Sequence, residues 1–176
     1  MLIESYGLHG RLPAMQKIGS HLSSLSALAS LMKDGKHIEQ FAAICHRDRA
    51  DGSTEVLLIT TRETGRWTVP KGWAIKGLKA HEVAERESWE EAGVLGKAKK
   101  KPFGRFTYVK TLKSGRKVAS FVQVHLVRVD TVEESFPELG QRERAWVTPA
   151  EAAAMVPEPE LKHLLNSLIG KTKLSA

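Results

Sequence analysis

Arg86, Glu87, Glu90 and Glu91 lie together in the stretch RESWEEAGV, residues 86–94. Three carboxylates this close, with a guanidinium beside them, can hold a hard divalent cation if they share one face of the backbone. Residues 79–92 (KAHEVAERESWEEA) are rich in strong helix formers, and Gly93 is placed to end a helix. Each helical residue advances by about 100°, so with Glu87 at zero, Glu90 falls near about −60° and Glu91 near about +40°. All three carboxylates then share a sector with Ala80, Val83 and Ala84, the expected inward face. Glu82 and Glu85 point the other way, toward solvent. Trp89 also falls on the outer side, so a further segment is expected to cover it. A Glu-rich helix is most often a solvated face. Three inward like charges, however, would repel one another and lose hydration unless a positive group lies among them. Arg86, four residues before Glu90, can neutralise one. An oxygen-only donor set without clustered Cys or His suits Mg²⁺, with Mn²⁺ as the alternative, rather than zinc. On helix geometry alone the metal site and the solvated face both stay open.

The stretch upstream favours the metal site. Residues 66–94, RWTVPKGWAIKGLKAHEVAERESWEEAGV, resemble the signature of the Nudix hydrolases: Gly, five residues, Glu, seven residues, then Arg-Glu-apolar-x-Glu-Glu-x-Gly-apolar. Gly72 takes the first place, and Arg86, Glu87, Glu90, Glu91, Gly93 and Val94 take the later ones. Two positions depart: Leu78 stands at the first glutamate and Ser88 at an apolar position. Trp67, Pro70, Lys71 and Gly72 look like the branch acting on diphosphoinositol polyphosphates and dinucleoside polyphosphates. The resemblance implies that Glu87, Glu90 and Glu91 are metal ligands and that Gly72 offers them a backbone carbonyl. It also implies that Arg86 orients Glu87, which accepts the proton of the attacking water; Glu91 completes the catalytic set. In place of the missing glutamate, Glu82 is one helical turn from Arg86 and is expected to buttress it.

The composition agrees. The chain has 176 residues with 41% hydrophobic content, a one-domain length with a sizeable core. No apolar run reaches the roughly 18 residues of a membrane span. No export signal is read at the N-terminus, and the single cysteine, Cys45, sits in the apolar run FAAIC, so a reduced cytoplasmic protein is expected. The net charge of +7 is uneven: residues 97–117 carry nine Lys or Arg and no acid, whereas Asp130, Glu133, Glu134, Glu138 and Glu143 make residues 130–143 acidic. The basic segment reads as a hairpin turning at residues 113–116 into a long strand, Val118 to Val129. Such a hairpin can face polyphosphate, form a solvated face, or bind nucleic acid; the last is the weakest reading.

The remaining elements follow from periodicity. FAAICHR (41–47), EVLLITTR (55–62), RWTVP and RAWVT read as strands, and residues 149–155 and 160–169 as helices. Together they predict an α/β (α+β) fold, an α/β/α sandwich with a mixed sheet, over residues 37–176. Residues 1–36 form an N-terminal helical extension with Met15, Ile18, Leu22, Leu25, Ala29 and Met32 along an apolar seam. That seam can pack on its own domain, mediate a homodimer, or belong to a flexible extension.

The function expected is a Mg²⁺-dependent hydrolase cleaving a phosphoanhydride. Its small-molecule substrate is a nucleoside diphosphate linked to another group X, a dinucleoside polyphosphate or a diphosphoinositol polyphosphate. Arg62, Trp67, Lys71, Arg105 and Lys110 are the expected substrate-binding residues, with no membrane partner and no nucleic acid. The rival is a catalytically weak module on the same fold that senses a nucleotide or polyphosphate. One of Glu133, Glu134 or Glu138 is expected to assist from outside the helix. Neutralising Glu90 or Glu91 is expected to leave metal-free stability equal or higher.

Overall fold

Residues 26, 28–31, 37–112 and 114–169 are described by the computed structural model. Residues 26 and 28–31 are helical and Ala29 is exposed; the rest of the predicted N-terminal seam lies outside the described residues, as does Lys113 at the hairpin tip.

FAAIC is apolar at consecutive positions rather than alternate ones, the pattern of a strand covered on both faces. Ala42, Ala43, Ile44 and Cys45 are indeed fully buried, at the centre of β1 (His37–Asp48). Around it lies an eight-stranded mixed sheet. β2 (Thr54–Thr60) pairs antiparallel with the end of β1, and β3 (Trp67–Thr68) with β2. β4 (Lys71–Trp73) pairs antiparallel with Gln40–Ala42 of β1. β5 (Val94–Ala98) and β6 (Gly104–Thr111) both pair antiparallel with β7 (Lys117–Val132), which runs parallel to β1. β8 (Arg144–Val147) closes the far side on β2.

Alternation along β1 and β7 divides the core. Ala43, Cys45 and Val127 meet Ala84 and Ala92 of helix α1 (Ala80–Ala92) on one face. Ala42, Ile44, Val122, Val124 and Leu126 meet Ala152, Leu161 and Leu165 on the other, from α2 (Pro149–Met155) and α3 (Pro159–Asn166). The α/β/α sandwich predicted from the sequence is therefore present. β4 and β5 were not foreseen: three residues are too few to show a period, and β5 runs into the basic segment. The basic segment does form the predicted hairpin, with Leu112 N–H donating to the Arg116 carbonyl at 2.8 Å.

Helix α1 carries the carboxylates, so its anchoring matters most. Glu82 accepts from the Lys79 N–H at 2.7 Å, closing a capping box at the first turn. Glu85, expected in solvent, instead accepts from the Ala98 N–H of β5 at 2.8 Å. Ser88 is fully buried, and its hydroxyl donates to the Glu85 carbonyl at 2.7 Å, so a polar residue is satisfied where an apolar one is usual. Gly93 ends the helix at φ 71°, in the left-handed region. Its carbonyl accepts from Glu133 N–H at 2.8 Å, the Glu90 carbonyl from Glu138 N–H at 3.0 Å, and the Ala92 carbonyl from Arg144 at 2.8 Å. Trp89 Nε1 donates to Glu133 at 2.9 Å. The acidic loop 133–143 is thus the segment that covers the outer side of the helix.

Gly93 is required twice over. A Cβ there would lie 2.5 Å from Phe136 Cδ1 and 2.8 Å from the Glu133 carbonyl oxygen, at a φ disfavoured for side chains. Gly93→Ala is expected to cost at least about 1–3 kcal/mol in urea unfolding. It should also raise hydrogen exchange of the Glu133 and Glu138 amides; wild-type exchange at both would show that the loop is held independently of the helix end.

Candidate active site

The register of β1 and β4 sets Gly72 opposite Phe41, with Lys71 opposite Ala42 and Trp73 opposite Gln40. Across from Gly72 stands α1, so close that a Cβ on Gly72 would overlap the Glu87 carboxyl group. Only glycine lets strand and carboxylate approach in this way. Burial and the neighbouring charges of Glu91, Glu90 and Glu138 push the Glu87 carboxyl up to about 7, against some relief from Lys71.

One turn on, Glu91 is buried and held from two sides. The Lys71 N–H donates to Oε2 at 2.9 Å, and Arg142 Nη2 donates to Oε1. Desolvation raises the Glu91 pKa, with Lys71 and Arg142 opposing. Arg142, only 7% exposed, also donates to Glu138 at 2.7 Å and to the Thr60 carbonyl at 3.0 Å. Glu90 is the more open carboxylate and pairs with Arg86 Nε at 2.5 Å.

Cations approach this cluster from the sheet side. Burial lowers the pKa of Lys71, with Glu91 opposing most strongly, and its ammonium lies 6.0 Å from the Tyr108 ring. The Lys110 ammonium lies 5.1 Å from the Trp73 ring; burial likewise lowers its pKa, and Glu91 and Glu87 act against that. Arg62 joins through Glu138, at 3.1 Å. Trp67 stands apart, packed against the apolar cluster beneath α2 and α3. Arg105 stands on β6 beside Gln123, at 3.4 Å, facing a separate cavity.

A model of the NUDIX domain matches residues 39–166. The chain belongs to the Nudix hydrolase family. Nudix hydrolase 18, mitochondrial, of Arabidopsis thaliana is 30% identical over 120 residues, 68% of this chain and 66% of the relative, just under two thirds of its length. Among solved structures, an Ap4A hydrolase of C. elegans superposes with a TM-score of 0.54 at 21% identity, covering 74% of this chain and 95% of that one. A NUDIX hydrolase from Nitrosomonas europaea gives 0.53 at 18% identity, over 78% and 92%. These two share the fold.

In kind, the donors of this Nudix helix fit a divalent cation: they are oxygens only, they repel one another, and Glu87 has no hydrogen-bond partner among the described residues. Among the described residues no three His, Cys, Asp or Glu side chains already converge as a cage. Mg²⁺ needs no such cage, because it keeps several of its waters. No helix among the described residues is long and apolar enough to cross a membrane.

Three sequence expectations change. Glu82 does not buttress Arg86: it is engaged at Lys79, and Leu78 is 40% exposed in the preceding turn. Arg86 pairs with Glu90, as the i,i+4 spacing suggests, and not with Glu87, which the resemblance implies it orients. Glu91 is not an uncompensated charge, because Arg142 neutralises it inside the protein. Of the acids outside the helix, Glu133 is bound to Trp89 and Glu138 to two arginines, while Glu134 is exposed. Arg142 was missed altogether; its one sequence signal is an arginine inside an otherwise acidic loop.

Glu87 and Glu91 should therefore respond oppositely to neutralisation. Glu87 has a folded pKa of about 7, above its ordinary value of 4.5. Its contribution to stability is full below the lower value and is lost as pH rises through the upper one. In EDTA, Glu87→Gln should melt above wild type, by a margin that grows from pH 5 to pH 8. Glu91→Gln should melt below it by an amount consistent with about 3–5 kcal/mol, because Arg142 keeps its buried charge. Parallel Tm–pH curves for wild type and Glu87→Gln would refute the crowding.

Proposed function

We propose that this Nudix domain is a divalent-metal-dependent pyrophosphohydrolase, using Mg²⁺ with Mn²⁺ as a substitute, that cleaves a phosphoanhydride in a nucleotide-type small molecule. The observation that carries this reading is the Glu87 carboxylate pressed against Gly72, crowded by Glu90, Glu91 and Glu138, with Lys71 and Lys110 alongside. Structural carboxylates are normally arranged to avoid such crowding. Dinucleoside polyphosphates are the first substrates to try, in keeping with the Ap4A hydrolase whose fold it shares.

Glu87, Glu90 and Glu91 would hold the cation, with the Gly72 carbonyl as a further oxygen donor. The chemistry such a cation would supply there is neutralisation of charge on the polyphosphate oxygens and a more acidic water. The chain's own groups do the rest. Lys71, Lys110 and Arg62 draw the phosphates in, Arg142 fixes Glu91, and Glu87 accepts the proton from the attacking water. Arg86 holds Glu90 until the site is loaded. A cytoplasmic setting belongs to this reading on the strength of the single cysteine, Cys45, whose thiol burial pushes up to about 12 and so makes inert.

One observation favours the rival reading of a sensor with weak catalysis: neither Leu78 nor Glu82 supports Arg86. Phosphate release from dinucleoside polyphosphates, nucleoside triphosphates and diphosphoinositol polyphosphates decides between them. Turnover with Mg²⁺ should vanish in EDTA. Glu90→Gln, at an exposed pair worth only about 0–1 kcal/mol, should cut kcat by roughly two orders of magnitude or more while the fold is kept. Binding without turnover across the panel would establish the sensor, and full activity in EDTA would exclude both.

A further inference from the structure

Among the described residues, one buried side-chain oxygen lacks a hydrogen-bond partner: Oε2 of Glu158, a residue only 9% exposed. A buried carboxylate oxygen left without a donor costs stability, so a role elsewhere has to account for it. Capping does not. Glu158 holds the N-cap position of α3, but its side chain forms no capping hydrogen bond, and Pro159 already starts the helix.

The strand register brings Lys71 to this carboxylate. Lys71 stands opposite Ala42, which belongs to the core beneath α2 and α3. Its backbone N–H reaches Glu91 on α1, while its side chain rises on the other face of the sheet. There the ammonium lies 6.0 Å from the Tyr108 ring. Tyr108 is fixed in turn: its hydroxyl donates to the Gln40 side chain at 2.6 Å, as that of Ser120 does at 2.8 Å. Thr107, beside it on β6, donates to Glu160 at 3.2 Å and ties the first turn of α3 to the same strand. Glu91 and Glu158 both pull on the Lys71 ammonium, which forms a salt bridge with neither.

We propose that Glu158 is a positioning residue for Lys71: its carboxylate draws the ammonium along Tyr108, away from the carboxylates of α1, and keeps it free for a substrate phosphate. The phosphate in this proposal rests on the hydrolase reading; the placing of the lysine rests on α3 and β6 alone. An ammonium attracted by Glu91 only would settle on it, compete there with the cation, and have to be released by every incoming substrate. Held between two carboxylates from opposite faces of the sheet, it has no salt bridge to break. Burial raises the Glu158 pKa, opposed by its own backbone N–H, by Arg66 and by Lys71. Arg66 acts from the solvent side, where it is exposed and its Nε donates to Thr64 at 3.2 Å. Lys71 is the inner partner. By charge alone Glu158 is a poor neighbour for a polyanion, and removing it should tighten phosphate binding. A positioning role predicts the opposite sign.

Inorganic tripolyphosphate is titrated into the full chain in EDTA and followed by NMR, for wild type, Glu158→Gln, Lys71→Met and the double variant. Hydrolysis of diadenosine tetraphosphate with Mg²⁺ is measured alongside. Glu158→Gln keeps the side-chain shape and removes a buried charge, so it should melt at or above wild type. It should nevertheless weaken tripolyphosphate roughly three- to tenfold and raise KM more than it lowers kcat. In the Lys71→Met background it should weaken nothing further. Glu158→Asp, which keeps the charge but withdraws it by one methylene, should show part of the same loss and gives the same comparison should Glu158→Gln fail to fold. Tighter or unchanged binding in Glu158→Gln, an equal loss in both backgrounds, or no binding by wild type overturns the positioning role, while turnover by wild type keeps the hydrolase reading. A loss of tripolyphosphate that depends on Lys71, with no anhydride cleaved by wild type, supports the positioning role and overturns the hydrolase reading instead.

Discussion

A single guanidinium joins the three parts on which the site depends. Arg142 reaches from the acidic loop to Glu91 on α1, to Glu138 in its own loop and to the Thr60 carbonyl at the end of β2. It is nearly enclosed, so each of its charges and donors must be answered inside the protein. The arrangement is costly to break from either side, because a lone buried charge would be left behind. It also means that Glu91 is already partly neutralised before any cation arrives. The negative potential of the helix is therefore concentrated on Glu87 and Glu90, of which Glu90 is shared with a surface arginine.

This division of labour gives each carboxylate a different character despite identical chemistry. Glu91 is structural as much as functional, tied to a strand amide and a buried arginine. Glu90 is an open group in a salt bridge with 53% and 30% exposed partners, easily exchanged. Glu87 is the strained member, desolvated and repelled, and so the one whose energy changes most when a cation or a proton arrives.

What the sequence reveals follows from how local each feature is. The helix, its inward carboxylates and its glycine end are encoded within fifteen consecutive residues, and the apolar run of β1 announces a strand buried on both faces. Trp89 on the wrong side even signals that a cover must exist. The identity of the cover was not legible, since Glu133 lies 44 positions away and its loop has no period. Arg142 was hidden for the same reason, 51 positions from its partner, in a stretch that reads as solvent-exposed charge. Glu82 misled because the i,i+4 spacing to Arg86 competes with the capping box, and a backbone N–H three residues back offers a shorter reach. The separate cavity that Arg105 faces could not be read at all, because its walls come from three strands brought together only by register.

The parallel pairing of β1 with β7 has a consequence for how the chain is made. Gln40 and Ser120 are hydrogen-bonded at 2.8 Å although 80 positions separate them. Everything between them, the carboxylate helix included, is threaded into one long loop that must close before the central strand acquires its second neighbour. On a ribosome the apolar centre of β1 therefore emerges early and waits, half-covered, until β7 has been synthesised. Closure of so long a loop is entropically slow. Nascent chains caught at that stage present an unpaired apolar strand edge, the form most in need of a chaperone.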